Sequence, residues 1–280
     1  MQFATRTVHL PRVAGGLDFE VLADDAIIGP AIEQGSWAGD EVALMLAHIE
    51  PGSRVVDLGA NVGWFAVQAV LAGAQVDAFE PVPAIAEIAQ RNIDRAAAKS
   101  QGSGTVHPVA AGAEPGSAEI VLAAKNHGDN RVVESDDRTP GDLDGSERLT
   151  IQIAPVDSLV KGPVRFLKVD TQGSEWLALQ GCTQLLDDSP ELALLLEFWP
   201  YALRDATPDQ LIDFLIAQGF TLGKATDGPF PMNRDRILRH AGHRGDVHGG
   251  IDLYGVRERP FHVLGTTARV RGLVRSLKEP

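Results

Sequence analysis

The chain has a single cysteine, Cys182, which excludes an internal disulfide and a thiolate zinc site. One lone thiol agrees with a reducing compartment, and the expected location is the cytoplasm. Long apolar runs are missing as well. The longest, Leu192 to Trp199, is interrupted by Glu197 and is far shorter than the roughly 20 residues of a membrane span. No basic stretch followed by an apolar one opens the sequence, so no secretory signal is expected there. Positive charge is scarce: 25 Lys and Arg stand against 38 Asp and Glu, a formal charge of −13. That deficit argues against nucleic-acid backbones as the main partner. The deficit is uneven, because residues 232–280 hold ten Lys and Arg against five Asp and Glu. Such a basic end serves either as a solvated face or as a lid over an anionic substrate.

With 280 residues and 44% hydrophobic content, the chain can bury a sizeable core in one enlarged α/β domain or in two domains. Its most informative stretch is Val55-Val56-Asp57-Leu58-Gly59-Ala60-Asn61-Val62-Gly63, with Glu80 about twenty residues on. β-Branched residues drive a buried strand ending in an acid. The glycines then turn the backbone into a helix from Trp64 to Leu71, and Gln75 to Phe79 forms the next strand. In this βαβ unit Glu80, at the tip of the second strand, suits the two hydroxyls of a ribose. A nicotinamide or flavin fingerprint needs glycines where Asn61 and Trp64 stand, for pyrophosphate approach and close helix packing. Asp57 would repel a pyrophosphate but attract the ammonium of an amino-acid-like ligand. A nucleoside carrying a cationic amino acid meets both demands, and S-adenosylmethionine is the expected cofactor. Asp57, Gly59, Asn61, Gly63, Glu80 and Pro81 are its expected contacts.

Elsewhere strands alternate with helices. Residues 1–35 read as a small cap with short β-like pieces, and Ser36 to Ile49 as a lead-in helix stopped by Pro51-Gly52. A helix at Ala84 to Ala98 precedes a third strand from Thr105 to Ala111. After an extended segment at Ala118 to Ala123, Lys125 to Glu147 reads as a long polar loop, and Leu149 to Ile153 as a strand. Arg165 to Asp170 is the fourth core strand, followed by a helix from Glu175 to Leu186. Leu192 to Phe198, Phe220 to Gly223 and Ile251 to Val256 complete the strands, with a helix from Pro208 to Gln218. No strong helical pattern separates the last two strands, so they are expected to pair antiparallel. The expected fold is α/β, a Rossmann-like doubly wound seven-stranded sheet binding its ligand at the carboxyl ends of the strands. Residues 1–50 form the cap and lead-in helix, 51–258 the nucleotide-type domain and 259–280 a basic extension.

A second constellation is Phe166-Leu167-Lys168-Val169-Asp170-Thr171-Gln172-Gly173-Ser174-Glu175. Lys168 and Asp170 are two apart on a strand and face one side. Buried charges are costly unless they satisfy each other or a ligand, so the pair is either a structural ion pair or a contact to cofactor or acceptor. Glu175 either complements a helix N-terminus or acts directly.

Together, the D-L-G-A-N-x-G stretch at 57–63, F-E-P at 79–81, V-D-S-L at 156–159 and L-K-V-D-T-Q-G-S-E at 167–175 resemble the FkbM family of S-adenosylmethionine-dependent methyltransferases. The resemblance covers residues 50–220 and implies a class I methyltransferase fold. Family members often carry V-E-G where this chain has Thr171-Gln172-Gly173. By the resemblance, Asp57, Gly59 and Gly63 line the methionine end of the cofactor and Glu80 takes the ribose. Asp170 then sits beside the methyl, and Ala110 and Ala111 hold the adenine. Family enzymes commonly methylate a hydroxyl of a sugar, a polyketide or another secondary metabolite, which implies a small-molecule acceptor.

Methylation of an alcohol also requires loss of its proton, a task matched to histidine near neutral pH. His127 is the first candidate, ahead of His248 and His243, with Asp170 as the alternative base. Asp170, Lys168 and His127 are thus the expected catalytic residues. A divalent metal on Asp170 and Glu197 is another way to acidify a hydroxyl. Trp199, Tyr201 and His248 are candidates for the acceptor pocket, and Arg234, Arg236 and Arg239 for an anionic acceptor. Rival readings are methylation of a peptide carboxylate or amine, a nucleoside-binding domain without turnover, and a nicotinamide dehydrogenase. Oligomeric state is not legible in the sequence.

Overall fold

The computed structural model describes residues 3–11, 13, 15–123, 126–133, 147–226, 230–242 and 249–257. Its elements are β1 (Thr5–Leu10), β2 (Leu17–Leu22), α1 (Ile28–Glu33), α2 (Gly39–His48), β3 (Arg54–Leu58), α3 (Trp64–Leu71), β4 (Gln75–Phe79) and α4 (Pro83–Ala97). There follow β5 (Ser103–His107), β6 (Ala110–Ala111), β7 (Gly116–Val121), β8 (Arg131–Val133), β9 (Arg148–Ala154), α5 (Val156–Leu159) and β10 (Phe166–Val169). The last are α6 (Glu175–Gln180), α7 (Thr183–Asp187), β11 (Ala193–Phe198), α8 (Pro208–Ala217), β12 (Thr221–Lys224), α9 (Arg234–Gly242) and β13 (Ile251–Val256).

Consecutive residues of the central strands go to opposite faces, as the two-residue period of a strand requires. Val55 and Phe166 pack with α2, α3 and α4, whereas Val56 and Leu167 pack with α5 to α9. Both faces are covered, so these strands read as continuous apolar runs. The sheet has seven strands in the order β12-β13-β11-β10-β3-β4-β5, and β13 alone runs antiparallel to its neighbours. Strand order reverses between β3 and β10. Their loops therefore part at the carboxyl ends and leave a crevice, the usual ligand position in such sheets. No helix among the described residues is long and apolar enough to cross a membrane.

Four expectations are corrected. The third strand ends at His107, because Pro108 has no N–H to continue the ladder; Ala110 and Ala111 instead pair with β9. That strand belongs to a second sheet, β6-β9-β7-β8, which takes in the segments expected at 118–123 and 149–153. Part of the expected polar loop is ordered here, as a 3-10 turn at His127–Asp129 and as β8. The expected helix from Glu175 to Leu186 breaks into α6 and α7 at Gly181, where a Cβ would stand 2.1 Å from Gly112 O. Asp157, from the V-D-S-L segment, accepts from Gln184 N and Leu185 N at 2.8 Å and starts α7. Finally α9 lies between the last two strands; it is short and mostly polar, burying Ile237 and Ala241, so few apolar positions mark it. The segment 259–280, His243 and His248 lie outside the described residues.

The amino-terminal hairpin β1-β2 joins the core rather than standing apart. Phe19 meets Trp64 edge-to-face, Glu20 pairs with Arg91 at 2.7 Å and with Arg95, and Asn92 Nδ2 donates to Glu20 O.

Candidate functional site

The loop after β3 depends on three left-handed residues and one close approach. Gly59 has φ +80, and a Cβ there would lie 1.8 Å from Asp170 O, so only glycine lets the loop cross the end of β10. Asn61 also takes a positive φ of 50. It is tolerated because its side chain bonds locally: Oδ1 accepts from Val62 N at 2.7 Å. Its Nδ2 donates to His127 O at 3.0 Å and so fastens the loop to the 3-10 turn. Gly63, with φ +87, caps the start of α3, and a Cβ there would lie 3.3 Å from Ala89 of α4.

Glu80 is 6% exposed and receives Asn61 N and Val82 N, one on each carboxylate oxygen, both at 3.0 Å. Burial pushes its carboxyl up to about 7 against the pull of these two amides. Asp57 and Lys168 face each other across the register of β3 and β10. The Lys168 ammonium stands 3.3 Å from Asp57 Oδ1 and 3.2 Å from Asp170 Oδ2, and donates to Gly59 O at 3.1 Å. It thus stands between two carboxylates and one carbonyl, and lies over the Phe65 ring. Burial opposes its charge, yet Asp170 and Asp57 hold its proton more tightly than usual. Burial likewise raises Asp57, in spite of Lys168.

Beyond β10 the turn is closed by Glu175, whose Oε1 accepts from Thr171 N at 3.1 Å and Gly173 N at 2.9 Å. Gln172 takes φ 52, and its Nε2 donates to Asp170 Oδ1 at 2.8 Å and Glu197 Oε2 at 2.6 Å. Among the described residues no group of three or more His, Cys, Asp or Glu is placed to hold a metal ion.

These parts surround a cavity of about 620 Å³. Of the residues expected from the sequence, Gly59, Asn61, Glu80, Pro81, Ala110, Ala111, His127, Lys168, Asp170 and Trp199 line it. Asp57 and Gly63 do not; Asp57 is 1% exposed beneath the loop and meets Lys168 instead of the cavity. Tyr201 stacks outside on Trp199, with ring centroids 5.5 Å apart. His127 is buried rather than exposed on a loop, its ring edge-to-face with Phe3 and its Nε2 3.2 Å from Asp24 Oδ1. Arg234 is taken by Asp213 at 2.6 Å and by Asp209, both on α8. Sequence reasoning missed Trp37, Ile120, Ile153 and Arg204 on the cavity wall. The alternating pattern of residues 148–154 was the available signal for Ile153.

Asp25 holds the turn over the cavity. Its Oδ1 accepts from Ile27 N and Ile28 N at 2.9 and 2.6 Å, and its Oδ2 from His127 N at 3.0 Å. Asp25→Ala strands these buried donors and is expected to cost about 2 kcal/mol. Urea unfolding checks this; a loss below about 0.5 kcal/mol would remove Asp25 as the fastening.

The sequence pattern of the Methyltransferase FkbM domain matches residues 57–222, more than half of the chain. The chain belongs to this family. It carries the methyltransferase domain of this family on a doubly wound, Rossmann-like sheet. The FkbM methyltransferase of Methylobacillus flagellatus KT is similar over 74% of this chain, with 18% identity and a TM-score of 0.44. The chain spans 44% of the length of that protein. Magnesium protoporphyrin IX methyltransferase from Synechocystis PCC 6803, solved with S-adenosylmethionine, matches 83% of this chain and 85% of its own, with 15% identity and a TM-score of 0.46. A TehB-like methyltransferase from Corynebacterium glutamicum matches 81% of this chain and 92% of its own, with 11% identity and a TM-score of 0.44. No curated protein matches the chain.

The residues present fit the cofactor of the family. Glu80 keeps acceptor capacity beyond its two amides, and on the cavity wall the carboxylates of Glu80, Glu114, Asp129, Asp170 and Glu197 outnumber the cations of Lys168 and Arg204.

Proposed function

We propose that this methyltransferase acts on a hydroxyl of a small molecule such as a sugar, a polyketide or another secondary metabolite. The observation that carries this reading is the charge of the cavity wall at the tips of β10 and β11. Asp170 and Glu197 stand there together, and the ammonium of Lys168 is already engaged by Asp57, Asp170 and Gly59 O. Such a wall attracts a cationic donor and repels an acceptor that is itself a carboxylate. Trp199 offers an aromatic face on the same cavity, and Asn126 and Asn130 offer neutral hydrogen-bonding groups. An uncharged polyol meets these groups without burying a charge.

Glu80 is assigned to the ribose hydroxyls, the loop Gly59 to Gly63 to the methionine end, and Ala110 and Ala111 to the adenine. Pro81 lies beside Glu80 on the same wall. Asp57 acts through Lys168, which positions Asp170 and Gly59 O. Bound S-adenosylmethionine supplies a methyl group whose C–S bond breaks, the electron pair returning to sulfur as the acceptor oxygen forms the new bond. The protein contributes alignment, which in favourable systems is worth up to about 7–11 kcal/mol. We assign residues 1–50 as a cap at the rim, with Ile28 and Trp37 reaching the cavity.

Calorimetry should detect S-adenosylhomocysteine binding, and labelled S-adenosylmethionine should mark hydroxyl compounds from a metabolite panel. Product mass spectrometry should find an alkali-stable ether. An alkali-labile ester, or a methylated amine, would overturn the hydroxyl assignment.

A further inference from the structure

Three side chains at the tips of β10 and β11 form a unit of which the cofactor reading takes up only Asp170. Glu197 ends the apolar run of β11 and Asp170 follows β10, so these carboxyls stand at adjacent strand ends. Gln172 joins them through one nitrogen, at 2.8 Å to Asp170 and 2.6 Å to Glu197. All three line the cavity. Gln172 holds this position in a left-handed conformation, which costs a residue with a Cβ about 1 kcal/mol. A glycine would avoid that cost but could not make the bridge.

We propose that Asp170 and Glu197, bridged by Gln172, are the proton acceptor for the substrate hydroxyl, with Gln172 as the positioning residue. The inference rests on the hydroxyl acceptor proposed above. As the acceptor oxygen bonds to the methyl carbon, its proton passes to the Glu197 carboxylate, which becomes a neutral acid. The positive charge lost at sulfur and the negative charge lost at the carboxylate balance. His127, the base candidate from the sequence, turns its ring to Phe3 and Asp24 instead.

The surroundings set the proton affinity of the pair. Lys168 faces Asp170 from β10, Glu175 approaches from α6, and Asp252 pairs with Glu197 across β13. Asp57 lies behind Lys168, Tyr201 stands on the outer side, and Glu41 and Lys224 act through Asp252. Burial first, then the charges of Asp170 and Glu175, push the Glu197 carboxyl well above the ordinary range. Glu175 and Asp252 are themselves raised by burial, Asp252 to about 7. A carboxylate whose proton affinity is raised above the ordinary range is a better general base than an ordinary one. Donation from Gln172 favours the charged forms, so removing it raises the proton affinity further.

Carbon-13 NMR of glutamate-labelled, ligand-free protein, with Glu197→Gln to assign the signal, reads this titration directly. Gln172→Leu and Gln172→Glu are each expected to move the Glu197 midpoint up by about one pH unit, a tenfold change in proton affinity. The acid limb of kcat should move the same way, while S-adenosylhomocysteine affinity stays within about twofold because the cofactor groups are untouched. Glu197→Gln should lower kcat about a hundredfold or more. A Glu197 midpoint indifferent to both Gln172 variants and to Asp170→Asn overturns the pairing, whatever the acceptor. Glu197→Gln retaining more than about a third of kcat overturns the base. A wild-type enzyme that methylates only amines or carboxylates overturns the hydroxyl reading, and the base role with it.

Discussion

Glu80→Ala is expected to weaken S-adenosylhomocysteine binding about a hundredfold near pH 8, and to abolish most of its pH dependence. A charged hydrogen bond contributes about 1.5–3 kcal/mol, and a ribose offers two hydroxyl donors to one carboxylate. In this protein the carboxylate is also held in place by Asn61 N and Val82 N, so its remaining lone pairs are preorganised toward the cavity. The pH dependence follows from burial. The folded pKa of about 7 exceeds the ordinary 4.5, so between these values the folded protein holds a proton that the unfolded chain has lost. The stability of the ligand-free protein therefore falls as pH rises through that window. Ligand affinity moves the opposite way: the hydroxyls need the carboxylate, so binding strengthens as pH rises through about 7 and is lost below it. Titration calorimetry between about pH 5.5 and pH 8.5 checks both signs. Binding by Glu80→Ala within about threefold of wild type would remove the ribose assignment.

The other large effect is on stability. Lys168→Met should cost about 3–5 kcal/mol, since it leaves the carboxylate of Asp57 buried without its counter-charge. Asp57 is 1% exposed and the lysine 5%, so solvent cannot compensate. The loop also loses its tie at Gly59 O. Because burial already raises the Asp57 carboxyl, the variant should recover stability as pH falls and that acid takes up a proton. Asp57→Asn combined with Lys168→Met should cost less than the sum of the two single changes, as coupled partners do. Urea unfolding at two pH values measures each of these. A loss under about 1 kcal/mol would show that the ammonium is not what holds β10 to the loop.

Much of this protein is legible from residue order alone. The run from Val55 to Gly63, with Glu80 beyond it, specifies the first βαβ unit, because a two-residue period, a glycine turn and an acid at a strand tip are local facts. The cavity positions of Gly59, Asn61 and Glu80 were legible for the same reason. So was the shared side of Lys168 and Asp170. The last pair, by contrast, is antiparallel in spite of α9, which the expectation had left out. What the tertiary structure alone decided concerns partners far apart in sequence. Lys168 meets Asp57, 111 positions earlier, through strand register, so the acid expected to attract a ligand cation is spent on a lysine. His127 is drawn inward by Asp25 and Phe3, and Gln172 finds Glu197 on a neighbouring strand. The second sheet was hidden because its strands are largely half exposed, and each is completed only by a partner from elsewhere in the chain. Sequence periodicity reports which face of an element is buried. Which charges meet there is set by packing, since the cost of burying a charge depends on whatever stands a few ångströms away.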